Sequence, residues 1–231
     1  MIEVVNVSKH FLINGKRKIL FEGASFEIRE KDFISITGES GCGKTTLLKI
    51  IAGVEPPSSG HVVYDGVRPQ FFKDIFLSSF RNKNIGFVFQ TFELMEGLSL
   101  IDNVLLPVYI CGQPVSKYRS RAEEVIKYVG MEEYINSDVR ILSGGQKQRV
   151  ALARALVMSP KYVFADEPTA NLDEKNSLEI ISLLERINRE QGIAVVFITH
   201  RQDVMSYSNK IISIVNSKVC IEKNRKEAQT I

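Results

Sequence analysis

Gly38-Glu39-Ser40-Gly41-Cys42-Gly43-Lys44-Thr45-Thr46 is the most informative stretch of this 231-residue sequence. It satisfies the pattern G-x-x-x-x-G-K-[ST], follows a short apolar run at Phe33 to Thr37, and opens a helical pattern at Thr45 to Ala52. Glycines let the backbone curl so that successive N–H groups point inward at phosphate oxygens, and the helix adds the positive end of its dipole. The order of strand, glycine loop and helix therefore predicts a phosphate-binding loop rather than a turn without a ligand.

Three side chains of this loop have distinct expected roles. Lys44 is expected to reach the β- and γ-phosphates of a nucleotide, and the Thr45 hydroxyl to ligate Mg²⁺. Cys42 allows two interpretations, a thiol activated by the helix N-terminus or a tolerant loop position. The absence of a catalytic base nearby in the sequence favours the second interpretation.

Apolar, β-branched runs alternate with helical patterns along most of the chain. The runs at Phe33 to Thr37, Tyr162 to Ala165 and Ile193 to Thr199 are typical of strands buried on both faces of a parallel sheet. The helical patterns are Thr45 to Ala52, Ser120 to Val129, Gly144 to Met158 and Asn176 to Glu190. This alternation predicts an α/β fold with a parallel-sheet core.

Two further regions have patterns typical of antiparallel strands. Runs such as Ala24 to Ile28 and His61 to Tyr64 predict a small antiparallel β region in the N-terminal third. Near the end, Lys210 to Val215 and Lys218 to Glu222 flank Asn216-Ser217, which predicts a hairpin.

The middle of the chain has mostly helical pattern and no strong buried strand. We therefore predict one domain over residues 1–231, in which residues 1–90 and 157–231 form a nucleotide-binding core. Residues 91–156 are expected to form a helical subdomain that is inserted into this core.

Composition excludes several classes of protein. The formal charge of +3 comes from 30 basic and 27 acidic residues, so it gives no case for a nucleic-acid partner. Three cysteines without CxxC or Cys/His spacing argue against a disulfide framework and a zinc site, and they fit a reducing cytoplasm. Because the sequence shows neither a signal segment nor an apolar stretch of about 18 residues, we expect another chain to supply any membrane span.

Polar residues follow three of the strand-like runs. Asp166-Glu167 comes after Tyr162 to Ala165, at the carboxyl edge where open α/β sheets bind ligands. Asp166 is expected to hold Mg²⁺ through the coordination shell of the ion. Glu167, facing the other way along the extended chain, is expected to polarise an attacking water. The alternative is a strand-end turn with solvated acids.

His200 and Gln90 occupy similar positions in the sequence. His200 closes the run Ile193 to Thr199, which favours a contact with the γ-phosphate over a purely structural histidine. Gln90 follows a strand-like run at Ile85 to Phe89, and we expect it to approach the same metal and water.

Leu142-Ser143-Gly144-Gly145-Gln146 runs into the helical stretch Lys147-Gln148-Arg149-Val150-Ala151-Leu152-Ala153-Arg154-Ala155-Leu156. A serine N-cap and two glycines open this helix, which gives a second anion site like the phosphate loop. The segment resembles the signature motif of ABC ATPases. The resemblance implies a P-loop NTPase core of the RecA-like type.

The remaining motifs follow in the order of that family. By resemblance, Gln90 is the Q-loop, Asp166-Glu167 the second Walker motif, Ala170-Asn171-Leu172-Asp173 the D-loop, and His200 the switch histidine. Phe11 resembles the aromatic residue that stacks on adenine, the alternative being a core phenylalanine at a strand end. The implied nucleotide contacts are Phe11, Gly38, Glu39, Ser40, Gly41, Cys42, Gly43, Lys44, Thr45, Thr46, Ser143, Gly144, Gly145, Gln146 and Asp173.

The family arrangement implies a dimer that uses ATP and Mg²⁺. Two copies pack head to tail, and the signature of one copy covers the γ-phosphate held by the phosphate loop of the other. ATP closes this dimer, and hydrolysis reopens it. The movement is expected to drive a separate membrane permease from the cytoplasmic face of the membrane.

Finer details resemble the macrolide-export and lipoprotein-release branch of the family. They are Gly86-Phe87-Val88-Phe89-Gln90 with Phe92 and Leu94, Asp102-Asn103-Val104 with Leu106-Pro107, and Glu167-Pro168-Thr169-Ala170 leading into the D-loop. The sequence departs from the family pattern at Val139, where proline is common, and at Ile141, where a polar residue is usual.

Other interpretations remain open at this point. A soluble ABC ATPase acting on ribosomes or DNA usually has two joined domains or long coiled coils, and the sequence contains neither. An inactive scaffold is disfavoured because every inferred catalytic position carries a competent residue. The resemblance favours an exporter or a mechanotransmission system and a homodimer, while an importer and a heterodimer stay open.

Overall fold

A computed structural model describes residues 1–13, 15–69 and 75–223 of the chain. The strands are β1 (Ile2–Ile13), β2 (Lys16–Ile28), β3 (Phe33–Gly38), β4 (Ser59–Tyr64), β5 (Ile85–Val88), β6 (Tyr162–Ala165), β7 (Ala194–Ile198), β8 (Lys210–Val215) and β9 (Lys218–Lys223). The α-helices are α1 (Lys44–Ile51), α2 (Ile75–Asn84), α3 (Leu100–Ile110), α4 (Arg119–Tyr128), α5 (Gly144–Leu156), α6 (Glu174–Gln191) and α7 (Gln202–Met205). Short 3₁₀ helices cover Val115–Lys117, Glu132–Tyr134 and Val139–Ile141. The predicted α/β class is confirmed.

The chain forms two compact units, Met1–Arg81 with Ala194–Ile231, and Asn82–Ile193. In the first unit, the strands lie in the order β4-β1-β2-β9-β8-β3-β7. β1 is antiparallel to β2 and β4, whereas β3 is parallel to both β7 and β8. The predicted antiparallel region in the N-terminal third is therefore confirmed.

The neighbouring parallel strands β3 and β7 are buried on both faces over most of their length. Every residue of β7 is buried, and Ile34 and Ile36 of β3 are fully inaccessible to solvent. Because Ile36 pairs with Ile198 on β7 and with Ile212 on β8, the three strands share one carboxyl edge. The segments that follow β3 and β7 both begin at this edge.

The last two strands form the predicted hairpin. Val215 pairs with Lys218, so the turn contains only Asn216 and Ser217, with φ angles of 48° and 60°. Positive φ at both central residues matches the right-handed twist of the flanking strands.

β2 is much longer than the predicted run Ala24 to Ile28, and no run was predicted for β1. Their register shifts between Val4 and Val7, between Val7 and Lys9, and between Lys9 and His10. Each shift breaks the alternation of buried and exposed side chains, which is why the sequence pattern shows only short pieces of these strands.

The second unit is mostly helical. β5 and β6 form a parallel pair, and residues 91–156, all of them described, contain α-helices and 3₁₀ helices but no strand. The predicted helical patterns correspond to α4, α5 and α6 within two residues at each end. Among the described residues of the whole chain, no helix combines the length and the apolar character that a membrane crossing requires.

The helix α5 packs closely on β5 at Gly86. A Cβ on Gly86 would lie 2.9 Å from the carbonyl carbon of Ala155 and would overlap its oxygen. Backbone atoms cannot move aside as a flexible side chain can, so this position requires glycine.

Gly86→Ala should lower the free energy of unfolding by about 2–3 kcal/mol, because it overpacks the contact between α5 and β5. At an unstrained position the same change stabilises a protein by roughly 0.4–1 kcal/mol, so the sign of the effect is diagnostic. Urea unfolding followed by circular dichroism measures it, and a stabilised variant would contradict the packing.

Candidate functional site

The phosphate loop connects β3 to α1 through three glycines with positive φ. These angles are 146° at Gly38, 76° at Gly41 and 105° at Gly43. A Cβ on Gly38 would lie 2.7 Å from the Ile214 carbonyl oxygen and 2.8 Å from Cys42 Sγ. The loop therefore keeps its curled path only with glycine at this position.

The N-terminus of α1 opens directly from this loop. Gly43 is the N-cap, no side chain caps the helix, and the first turn contains no acidic residue. Lys44 is only 6% exposed, and its Nζ donates to the carbonyl oxygens of Gly38 at 3.1 Å and Glu39 at 2.9 Å. The helix end and the ammonium group together fit a phosphate group, because both favour negative charge.

The structure places His200 at the same sheet edge as Gly38. Thr199 N donates to Ile36 O at 3.1 Å, which continues the β3–β7 pairing to the residue before His200. The imidazole is exposed. The sequence predicts His200 at the carboxyl edge of the sheet, and it lies at that edge, where the phosphate loop also begins.

Phe11 has an exposed ring near the end of β1. Its relative exposure is 42%, and the Lys9 ammonium lies 5.1 Å from the ring centroid. The alternative of a core phenylalanine is therefore wrong. An exposed aromatic face of this kind is suited to stacking.

Asp166 and Gln90 lie at one edge of the strand pair in the second unit. Val88 pairs with Ala165, and Asp166 N donates to Val88 O at 2.9 Å. Gln90 follows two residues after Val88 and is exposed, whereas Asp166 is only 8% exposed. Gln90 and Asp166 therefore both follow the carboxyl ends of the paired strands β5 and β6, as the sequence predicts.

Glu167 differs from the expectation. The sequence predicts an extended chain in which Glu167 faces opposite to Asp166, but its φ angle is 46°, in the left-handed region. The strand has ended at Ala165, and the chain turns so that Ala170 N donates to Glu167 O at 3.1 Å. A non-glycine residue in this region costs about 1–2 kcal/mol, and such strain is typical of active sites.

The predicted second anion site is a capped helix end. Ser143 is the N-cap of α5, and its Oγ accepts a hydrogen bond from Gln146 N at 3.4 Å. In return, Gln146 Oε1 accepts one from Ser143 N at 2.9 Å, which completes a capping box. A Cβ on Gly145 would lie 2.6 Å from Asn176 Oδ1, so a larger residue there would have to displace the Asn176 side chain.

Asp173 and Asn171 have visible structural roles. Asp173 caps α6, with Oδ1 accepting from Asn176 N at 2.9 Å and Oδ2 accepting from the Asn176 side chain. These hydrogen bonds, the backbone one foremost, lower the pKa of Asp173. Asn171 Nδ2 donates to Gln90 O at 3.2 Å, which ties the D-loop to the Q-loop.

Two residues near the site have structural roles that were not predicted from the sequence. Asn103 is fully buried, accepts from Met95 N at 2.7 Å and donates to Met95 O at 3.1 Å, and so closes the segment after Gln90. A polar residue among Ile101, Val104 and Leu105 was the sequence signal that could have marked Asn103.

Arg154 on α5 donates to the carbonyl oxygens of Phe92, at 2.7 Å, and Glu93. No sequence signal marks that contact.

Asp173→Ala should destabilise the protein at pH 7, and the loss should shrink as the pH falls below 3.8, the ordinary pKa of the carboxyl group. The sign follows from the lowered pKa, since the folded state favours the charged carboxylate and loses that advantage when acid protonates it. Urea unfolding at pH 7 and pH 3 measures the difference from the wild type. Asp173→Asn is the control, because it caps without titrating. An Asp173→Ala loss that stays constant with pH would contradict the cap.

Comparison with known proteins supports the motif assignments. A family model described as "ABC transporter" matches residues 21–170. The lipoprotein-releasing system ATP-binding protein LolD of Leptospira interrogans is 39% identical over 218 residues, covering 94% of this chain and 90% of that protein. The macrolide export ATP-binding/permease protein MacB of Syntrophobacter fumaroxidans is 36% identical over 216 residues, covering 93% of this chain and 30% of that longer protein.

A solved structure extends the agreement to three dimensions. It is a dimer of the ATP-binding cassette MJ0796 in a post-hydrolysis state, bound to ADP and Pi. The TM-score is 0.87 at 36% sequence identity, covering 97% of this chain and 99% of that one. The predicted P-loop NTPase fold is confirmed, and LolD and MacB match the predicted lipoprotein-release and macrolide-export branch. The chain belongs to the ABC transporter family.

Proposed function

We propose that the chain is the ATP-binding and ATP-hydrolysing subunit of an ABC transporter, which dimerises around two ATP molecules to drive a separate membrane permease. One observation carries the proposal: a single chain has two helices, α1 and α5, that begin at glycine turns. Both ends favour anions. The relatives named as ATP-binding subunits support the same assignment.

In this proposal, the phosphate loop binds the triphosphate. Lys44 moves its ammonium from the carbonyl oxygens of Gly38 and Glu39 to the β- and γ-phosphates, an exchange that keeps its donors satisfied. Backbone N–H groups of residues 38–46 surround the phosphates. The exposed ring of Phe11 stacks on the adenine.

The proposed metal is Mg²⁺, assigned to Thr45, Gln90 and Asp166. Their hydroxyl, amide and carboxylate oxygens are the hard ligands that Mg²⁺ takes in proteins, so the donor set fits this ion. When bound, Mg²⁺ neutralises charge on the phosphate oxygens and lowers the barrier to phosphoryl transfer.

Glu167 is the proposed general base. A water oxygen forms the new bond to the γ-phosphorus, the bond from that phosphorus to the β-phosphate oxygen breaks, and the water proton goes to the Glu167 carboxylate. The left-handed backbone at Glu167 aims its side chain differently from the preceding strand residues. His200 contacts the γ-phosphate from the edge beside Gly38 and orients it for in-line attack.

The second anion site serves the partner copy. We assign Ser143, Gly144, Gly145 and Gln146 of one copy to the γ-phosphate bound by the other copy, with Asp173 beside it. The dimeric state of the MJ0796 cassette, at 36% identity, supports the pairing of two copies.

The chain is proposed to work as one ATPase domain over residues 1–231. Residues 1–90 and 157–231 form the nucleotide-binding core, and residues 91–156 form the helical subdomain that carries the signature. The partners are a membrane permease and a second copy of the chain, at the cytoplasmic face of the membrane. The likeness to LolD and MacB favours an exporter or a mechanotransmission system over an importer.

Glu167→Gln should retain ATP binding, cut turnover by about 10²–10⁴-fold and trap a dimer with bound ATP, because the base is lost but the ligand contacts remain. Steady-state ATPase assays and size-exclusion chromatography with ATP measure both effects. Glu174→Gln, at an exposed position in the first turn of α6, is the matched control. A fully active Glu167→Gln variant would refute the assigned base.

Lys44→Ala should weaken ATP binding by about 100-fold or more, because charge-assisted hydrogen bonds to phosphate contribute roughly 1.5–3 kcal/mol each. Equilibrium titration with a labelled ATP analogue measures the affinity. Lys49→Ala, in the last turn of the same helix, is expected to bind as the wild type does. Equal affinities of the Lys44 and Lys49 variants would rule out the assigned role.

A further inference from the structure

The segment that directly follows Gln90 has an unusual backbone. Phe92 and Glu93 have φ angles of 61° and 49°, two consecutive non-glycine residues in the left-handed region. Side chains at positive φ crowd the following carbonyl oxygen, so this conformation persists only where surrounding contacts enforce it. The nearest residue with a proposed role in hydrolysis is Gln90, two positions away.

Arg154 adds contacts from outside the segment to the local hydrogen bonds, which run from Phe92 N to Phe89 O at 3.3 Å and from Glu93 N to Thr91 O at 2.6 Å. Its guanidinium donates one hydrogen bond to the Phe92 carbonyl oxygen, at 2.7 Å, and a second to the Glu93 carbonyl oxygen. Burial lowers the pKa of Arg154, although Glu93 opposes the shift. A guanidinium stays protonated under these conditions, and its rigid planar fork presents donors side by side to two neighbouring carbonyl groups.

Two further contacts connect the same segment to the signature and the D-loop. A Cβ on Gly144 would lie 3.9 Å from Phe92 Cζ, so the Phe92 ring lies beside the glycine turn that opens α5. Asn171 Nδ2 donates to Gln90 O at 3.2 Å. Arg154 itself is on α5, so the signature helix holds the segment both at its glycine turn and at its last turn.

We propose that Arg154 is a positioning residue, which fixes Gln90 to the signature helix by holding the left-handed backbone of Phe92 and Glu93. Gln90 and the Ser143 turn then move as one body when the nucleotide state changes. The proposal rests on the function proposed above for Gln90 and the signature. Arg154 acts through the backbone and touches no nucleotide.

Hydrogen–deuterium exchange of the nucleotide-free protein tests the contact without relying on activity. Arg154→Met removes both donors while keeping a long side chain, and exchange in a peptide covering residues 90–95 should rise at least tenfold. Arg149→Met is the matched control, since Arg149 is on the same helix and its guanidinium also binds a carbonyl oxygen, that of Val129, together with Glu179. Equal exchange at residues 90–95 in the two variants would overturn the proposal.

A glycine substitution separates positioning from a general loss of stability. Glycine adopts positive φ without strain, so Glu93→Gly in the Arg154→Met background should return exchange at residues 90–95 at least halfway to the wild-type value. If Arg154 had a purely structural role, the two substitutions would each raise the exchange at residues 90–95, and their effects would add. Arg154→Lys keeps the positive charge but replaces the planar fork with a single ammonium group, and should give an intermediate exchange rate, which provides a test if Arg154→Met does not fold.

An activity measurement distinguishes this proposal from the proposed function. Arg154→Met should raise the Mg²⁺ concentration for half-maximal ATPase activity by about tenfold, while ATP affinity measured without Mg²⁺ stays unchanged. A wild-type chain without ATPase activity would contradict the proposed function and leave the exchange result standing. An active wild type with an unaltered Mg²⁺ response in Arg154→Met would contradict the positioning role alone.

Discussion

The attraction between a helix N-terminus and a phosphate group underlies the whole account. The first N–H groups of a helix have no partners within it, and their positive partial charge favours an anion. At α1, no side chain occupies this end, and Lys44 lies folded over the adjoining loop. At α5, the Ser143–Gln146 capping box already satisfies some of the donors. The first end is therefore built for tight binding of an anion, and the second for a weaker contact that forms and breaks.

This difference suits a machine that must open again. The capping box keeps α5 stable when no phosphate is near, so the signature turn retains its shape in the separated subunits. The strained backbones of Glu167, Phe92 and Glu93 lie in the same unit, and their strain has to be held by the surrounding contacts.

The sequence predicts those features that depend on neighbouring residues. The loop glycines, the buried runs of β3, β6 and β7, and the Asn216-Ser217 hairpin all have local signals that the structure confirms. The helix α2, the strand β1 and the full length of β2 were not predicted, and for the two strands the reason is that bulges interrupt the alternating pattern. These differences lie outside the phosphate loop.

The rest of the site depends on contacts between distant residues. Arg154 meets Phe92 and Glu93 across 62 and 61 positions of the chain, and phenylalanine and glutamate carry no sequence signal for positive φ. The turn at Glu167 was missed for the same reason, although its place after β6 was correct.

The central claim is that one copy supplies the phosphate loop and its neighbour supplies the signature turn. Mixing two inactive chains tests it directly: Lys44→Ala, which lacks a working phosphate loop, and Ser143→Arg, which blocks the signature turn with an exposed side chain. Each alone should show no ATPase activity, whereas the mixture should regain up to about half of the wild-type rate per mixed dimer, because one composite site is intact. A mixture as inactive as its components, or a Ser143→Arg chain as active as the wild type, would contradict the claim.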